Sequence, residues 1–280
     1  MADKYGETIE DVLNTSSKKS FWQKIKDSFS KKKPLTLEKA LEDPLKHWKL
    51  DLTGQGLTEL PETIGELKNL EFLYLSKNQL AKLPDAIGNL TKLDTLTLEN
   101  NVLSSLPDTI GNLSKLTDIN ISDNQLETLP DAICKLTSVT SFDASNNKLN
   151  NLPVNFGNMH QIQVLSLYNN QLTHLPDSIG QLKETVKHFN ISNNKLKTLP
   201  DTIHKIAFED IYLSKNEIEN IDSLGKSNYR IDQLDLQKNK LTRIPDSILK
   251  RSNLYLDLQD NPFSDEEKER MEAINSGIKL

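Results

Sequence analysis

A spacing of 23 residues constrains this chain more than any other property. Shifted by 23, the stretch Leu70-x-x-Leu73-x-Leu75-x-x-Asn78-x-Leu80-x-x-Leu83-Pro84-x-x-Ile87-Gly88-x-Leu90 falls onto Leu93, Leu96, Leu98, Asn101, Leu103, Leu106, Pro107, Ile110, Gly111 and Leu113. The register runs from about Trp48 to Phe263. Its asparagine position is held by Asn78, Asn101, Asn124, Asn147, Asn170, Asn194, Asn216, Asn239 and Asn261, with Gln55 in that place in the first unit. Ten consecutive units matching at so many fixed positions call for a stacked repeat, because one coil cannot bury its apolar side alone.

Each position has a physical task. In Leu-x-Leu the period is 2, so both leucines point to one side of a short strand and the residues between them to the other. A buried turn follows, and its backbone groups need partners. Asparagine offers an acceptor and two donors on a short stem, so stacked copies are expected to form a ladder that satisfies those groups. Leu-Pro-x-x-Ile-Gly-x-Leu then covers the outer side. Proline ends the extended part, Ile and Leu return inward at short helical spacing, and glycine is expected to permit a tight bend. The fold class expected is an α/β repeat solenoid, right-handed and curved, with a parallel concave β-sheet, short helical or irregular convex segments and helical caps.

These residues resemble cytosolic leucine-rich repeats of the Scribble-like and plant intracellular Ras-group-related kind, and those of many bacterial proteins. The resemblance covers about four-fifths of the chain, and the Leu-Pro-x-x-Ile-Gly segment is specific for this repeat subtype. It implies a module that binds other proteins and leaves the partner unnamed.

The domain organisation follows: 1–33 a basic amphipathic segment, 34–47 an amino-terminal cap helix, 48–263 the repeats, 264–280 a carboxy-terminal cap helix. Thr36 is the expected N-cap of a helix bounded by Pro34 and Pro44, and Ser264 or Asp265 that of a helix running to Ile274. Phe142, Ala144, Phe156 and Met159 replace leucines in one unit, an exchange of large for small that conserves core volume. Cys134 stands where most units have glycine and reads as a small residue in the outer bend. The stretch Asp222–Tyr229 lacks the proline, so its convex segment should be the most irregular.

Chemistry is hard to find. Five histidines, His47, His160, His174, His188 and His204, sit in different units without metal-ligand spacing. Thr53-Gly54-Gln55-Gly56 lacks the lysine and following helix of a phosphate loop, and no nucleophile is paired with a base. The expectation is no catalytic residue, no cofactor and no metal. No run of about 18 apolar residues exists to span a bilayer. The first thirteen residues are polar and acidic, unlike a secretory signal, and Cys134 is the single cysteine, which suits a reducing compartment. A cytoplasmic, monomeric scaffold or adaptor is expected. The alternatives are an effector secreted by a non-Sec route and a peripheral membrane protein.

Ten strands about 4.8 Å apart give a concave floor roughly 45 Å by 13 Å, or some 600 Å², near the roughly 800 Å² that one partner contributes to a standard interface. Its central column reads Asp51, Tyr74, Thr97, Asn120, Asp143, Ser166, Asn190, Tyr212, Asp235, Asp257. Phe72, Glu99, Asp118, Asp123, Tyr168, Asp210 and Asp260 lie beside it, against Lys49, Lys77, Lys215 and Lys238. An acidic floor repels nucleic acid and favours a protein with a basic or mixed surface. The expected binding residues are Phe72, Tyr74, Asp118, Asp143, Tyr168, Asp210, Tyr212 and Asp235, with the aromatics as anchors. A plainer reading is that the acids only keep an open sheet soluble.

The first 33 residues carry a net charge of +3 against −9 for the rest, and residues 18–33 hold seven lysines and one aspartate. Phe21, Trp22, Ile25 and Phe29 share one helical face by their spacing. Three readings stay open: a helix on a membrane surface, docking on an acidic surface of this or another protein, and a mobile or capping segment.

Overall fold

The computed structural model describes residues 35–182 and 185–275. Phe21, Trp22, Ile25, Phe29 and Pro34 lie outside them, as do the last five residues of the expected carboxy-terminal cap. Helix α1 (Leu37–Glu42) is followed by ten short strands: β1 (Lys49–Asp51), β2 (Phe72–Tyr74), β3 (Thr95–Thr97), β4 (Asp118–Asn120), β5 (Ser141–Asp143), β6 (Val164–Ser166), β7 (Val186–Asn190), β8 (Phe208–Tyr212), β9 (Gln233–Asp235) and β10 (Tyr255–Asp257). They form one open parallel sheet in sequence order, with Leu50, Leu73, Leu96, Ile119, Phe142 and Leu165 in register across it. Identical backbone paths 23 residues apart permit this register alone, since a slip of one residue would turn every leucine outward.

Inside each coil the expected leucines are buried. In the third unit Leu93, Leu96, Leu98, Leu103, Ile110 and Leu113 have no exposure. Each contributes roughly 1.5 to 3 kcal/mol of burial. The Pro-x-x-Ile segments form 3-10 helices such as Asp85–Asn89 and Asp108–Asn112, started by the extended prolines Pro84 and Pro107. Asp222–Gly225 (α2) and Asp246–Leu249 (α3) are single α-helical turns instead; the proline-free stretch is thus a regular turn and not the irregular segment expected, and Pro245 stands before the same kind of turn one coil later. The strands line one side of the stack and these turns the other.

The glycines of the outer turns have a different reason from the one expected. Among the described glycines, positive φ is confined to Gly54 and Gly56, so those in the Ile-Gly pairs need no special bend. What they need is room. A Cβ on Gly88 would lie 2.5 Å from the carbonyl of Thr109 in the next coil, and one on Gly111 2.4 Å from that of Ala132. Cys134 fills this place where the following turn is shorter, Phe156–Asn158. It is buried, and burial followed by the Asp131 charge pushes its thiol up to about 11, which disfavours the thiolate. In the same region Phe142 and Phe156 are fully buried and meet edge to face at 5.6 Å, with Ala144 giving up the volume.

Both ends are capped. The Thr36 hydroxyl accepts from the Lys39 N–H at 3.4 Å, and α1 buries Ala40 against the first coil. At the other end Ser264 caps α4 (Asp265–Ile274) by accepting from Glu267 N–H, and α4 buries Met271. Arg270 locks it in place, pairing with Glu267 at 2.6 Å and Asp246 at 2.5 Å and donating to the Ile244 carbonyl.

Candidate functional site: the strand face

The turn after each strand is built by the asparagine ladder. Asn147 donates through Nδ2 to the carbonyls of Ile121 at 3.0 Å and Ala144 at 3.2 Å, and its Oδ1 accepts from Leu126 N–H at 3.0 Å. Asn170 repeats this one coil later with Ala144, Leu167 and Leu149. All nine ladder asparagines accept from a backbone N–H of the coil before them. The residue ahead of each is left-handed, from Lys77 at φ 57° to Asp260 at φ 60°, with Gly54 in that place in the first unit. Asn, Asp and Gly tolerate that region; Lys77, Lys215 and Lys238 take it at about 1 kcal/mol or more each.

Two columns of side chains rise from the strands thus fixed. The first runs Lys49, Phe72, Thr95, Asp118, Ser141, Val164, His188, Asp210, Gln233, Tyr255, and the second is the central column read from the sequence. Sequence reasoning overlooks most of the first column, and it is the more varied: ten positions hold nine residue types. The second is mostly Asp and Asn, and its acids and amides have work to do. Oδ1 of Asp51, Asn120, Asp143, Asn190, Asp235 and Asp257 each accepts from the N–H two residues on, ending the strand with an Asx turn. The signal is present in the sequence as Asp or Asn two residues before Ser, Thr or Gln.

Several expected binding residues are corrected by their surroundings. Asp143 is 8% exposed and Ser166 5%, because short side chains between neighbours of equal height one strand away lose their access to water. Burial raises the Asp143 carboxyl above the usual range against its two bonds to Ser145, and Asp123 and Glu99 add to the rise. Burial first and then the Asp257 charge raise Asp235 as well. Asp143 is thus buried and Asp235 half-buried, where the sequence led one to expect exposed charges. Phe72, Tyr74, Tyr168 and Tyr212 are half-buried, not fully exposed. Phe72 meets Trp48 edge-on at 5.7 Å, and Tyr74 lies 4.9 Å under the Lys49 ammonium. Burial, then Asp51, Asp118 and Asp94, push the Tyr74 phenol upward. The Tyr212 hydroxyl donates to Gln233 at 3.2 Å, and its ring lies 5.0 Å from that of His188.

The eight expected residues therefore form two groups. Phe72, Tyr74, Asp118 and Asp143 lie on β2, β4 and β5, whereas Tyr168, Asp210, Tyr212 and Asp235 lie just after β6 and on β8 and β9. Between them stands His188, buried and missed in the sequence, whose imidazole burial pushes down to about 4. Asp210 beside it is raised by burial and then by Asp232 and Glu209. Among the described residues no group of three His, Cys, Asp or Glu side chains could hold a metal ion, and no helix is long and apolar enough to cross a membrane. Two shallow depressions of about 470 Å³ lie off this face, one beside Arg251 and Asn275 at the carboxy-terminal end and one around Val154 and His174 on the outer side.

The model of the leucine-rich repeat region matches residues 43–123 and 87–255. No curated protein sequence matches the chain. Among solved structures, a leucine-rich repeat protein of Leptospira interrogans is 23% identical, with a TM-score of 0.53, over 89% of this chain and 100% of that one. The functional domain of InlJ from Listeria monocytogenes, which includes a cysteine ladder, is 24% identical with a TM-score of 0.65, over 83% of this chain and 48% of that one. A plant peptide hormone receptor, RGFR1, solved in complex with RGF2, is 28% identical with a TM-score of 0.66, over 77% of this chain and 36% of that one. The chain thus spans about a third of the receptor and about half of the InlJ domain.

Proposed function

The chain belongs to the leucine-rich repeat family, and from that premise we propose that it is a non-enzymatic scaffold or adaptor that binds a protein partner on its concave strand face. One observation carries the proposal. On a backbone repeated ten times, the ladder position is asparagine in nine coils while the first strand column takes nine residue types in ten. Packing asks for sameness; four members of the varied column, Thr95, Ser141, Val164 and His188, are buried, and its partly exposed members, Phe72, Asp118, Asp210 and Gln233 among them, are where side chains can be selected for recognition. The receptor solved with its peptide hormone supports a peptide or protein as the class of partner.

Half-buried Tyr74, Tyr168 and Tyr212 suit the role of anchors, since an aromatic already held in place loses little entropy on binding. Asp118 and Asp210 in the first column and Glu99 and Asp123 beside it favour a basic or mixed-charge surface. The single cysteine suits a reducing, cytoplasmic setting, and the monomer is the expected state. A pull-down with mass spectrometry, run with the native chain and with Tyr168→Ala, tests the reading. The partner found should lose affinity about tenfold or more with Tyr168→Ala, while Asp108→Ala and Asp177→Ala on the outer turns leave it unchanged. Loss through the outer variants and not through Tyr168→Ala sinks the assignment to the strand face.

A further inference from the structure

Strand β1 ends the sheet: it pairs with β2, and among the described residues no strand pairs with its outer edge. Edges of this kind are covered in soluble proteins because they recruit other chains. Beside this one stand two large apolar side chains in water, Leu45 at 62% and Trp48 at 47% exposure. Inward from it the two strand columns carry Asp51, Asp118 and Asp143, flanked by Glu99 and Asp123, and from β3 to β6 neither column has a lysine or arginine. Asp123 and Glu99 both act on the Asp143 carboxyl, so charge from adjacent coils converges at one place.

We infer that this surface is occupied by the chain's own lysine-rich segment, residues 18–33, with its aromatic side on Leu45 and Trp48 and its lysines over Asp51, Glu99 and Asp123. The described chain begins at Leu35, beside α1 at this same end of the solenoid. The stretch from Phe29 to Leu35 is long enough to span about 20 Å, whereas β1 to β5 cover about 19 Å at the usual strand spacing. Seven lysines and one aspartate face a surface of opposite sign, and Phe21, Trp22, Ile25 and Phe29 supply the apolar match for Leu45 and Trp48. Tethering raises the local concentration of such a segment to the millimolar range, so weak contacts suffice. The inference rests on the strand face being the binding surface, and it adds a regulator: an incoming basic partner competes with a basic segment already there.

The full chain provides its own probe, since Trp22 and Trp48 are its two tryptophans. In Trp48→Phe, the Trp22 emission at low salt should be blue-shifted and shielded from acrylamide, and molar salt should release it. Adding Asp51→Asn, Glu99→Gln and Asp123→Asn should release it too, whereas Asp85→Asn, Asp108→Asn and Asp131→Asn on the outer turns should not. Circular dichroism verifies that each variant is folded. In the native chain, zero-length carbodiimide coupling read by mass spectrometry should join lysines of 18–33 to Asp51, Glu99 or Asp123 within one monomer. A solvent-exposed Trp22 at low salt, shielding that appears only with anionic vesicles, or links solely to outer-turn acids or to a second copy would overturn the inference. Docking of the segment and binding of a partner are read separately, so either can fail while the other stands.

Discussion

The asparagine ladder and the first strand column run side by side along the same ten coils, yet they obey opposite rules. Every ladder amide sits in a turn where its donors and acceptor are used, as at Asn147, and a substitution leaves backbone groups of two coils without partners. The strand column has its backbone satisfied by the neighbouring strands, and its side chains owe nothing to the turn. The lesson is that in a solenoid the positions that repeat hold the molecule together, and those that vary are where it can meet something else.

Four measurements can break or sharpen this contrast. The largest effect is expected at the outer seam, where a Cβ on Gly157 would sit 1.7 Å from the Ser178 carbonyl. Gly157→Ala should cost about 3 kcal/mol in denaturant melts, and a neutral result would mean that the coils are not so closely stacked. Next comes the ladder. Asn147→Ala and Asn170→Ala should each lose about 2 kcal/mol, against less than about 0.5 kcal/mol for Gln171→Ala at the exposed position that follows Asn170. Ser166 is unsuitable as that control, being buried.

His188 gives the third, because among the buried members of the strand column it is the one that titrates. Its imidazole titrates near 4 in the fold and near 6.5 in the unfolded chain, so between these values the unfolded state binds more protons. Stability is fully present above about pH 6.5 and falls as the pH drops toward 4, by on the order of 3 kcal/mol. Asp143, Asp210 and Asp235 are shifted upward and act in the opposite sense, gaining stability as the pH falls through their folded values toward the ordinary carboxylate range. His188→Gln should therefore flatten the loss between about pH 6.5 and 4, and an unchanged profile would remove the histidine from the account. Smallest of all, Gln233→Ala at a half-buried place in the first column should shift thermal melting by no more than surface changes do, within about 0.5 kcal/mol. A larger loss there would make the column structural and weaken the contrast.

Period, core and ladder were legible because each is a property of one unit repeated: Leu73, Leu96 and Ile119 carry the same instruction. The burial of Asp143 and Ser166 was not, since it depends on what stands one strand away on either side, a full repeat off in the sequence. Glycine in the outer turn was legible as a position and misread as a cause. Gly88 looks like a bend within its own coil, and only stacking reveals the carbonyl of Thr109 against it. His188 hid among scattered histidines until the register placed it over Val164 and beside Asp210.

The ladder also has a direction. Each asparagine reaches back, never forward: Asn101 finishes the coil of Asn78, and Asn124 that of Asn101. A coil is thus incomplete until its successor has been synthesised, and a chain emerging from a ribosome amino end first can close coil after coil behind the growing point. Among the described residues no full coil follows that of β10. There α4 does the closing, with Glu267 accepting from the Ile244 N–H, Arg270 donating to the Ile244 carbonyl and Asn275 donating to that of Leu249. Translation and assembly therefore share one polarity, and α4 acts as the stop of the ladder.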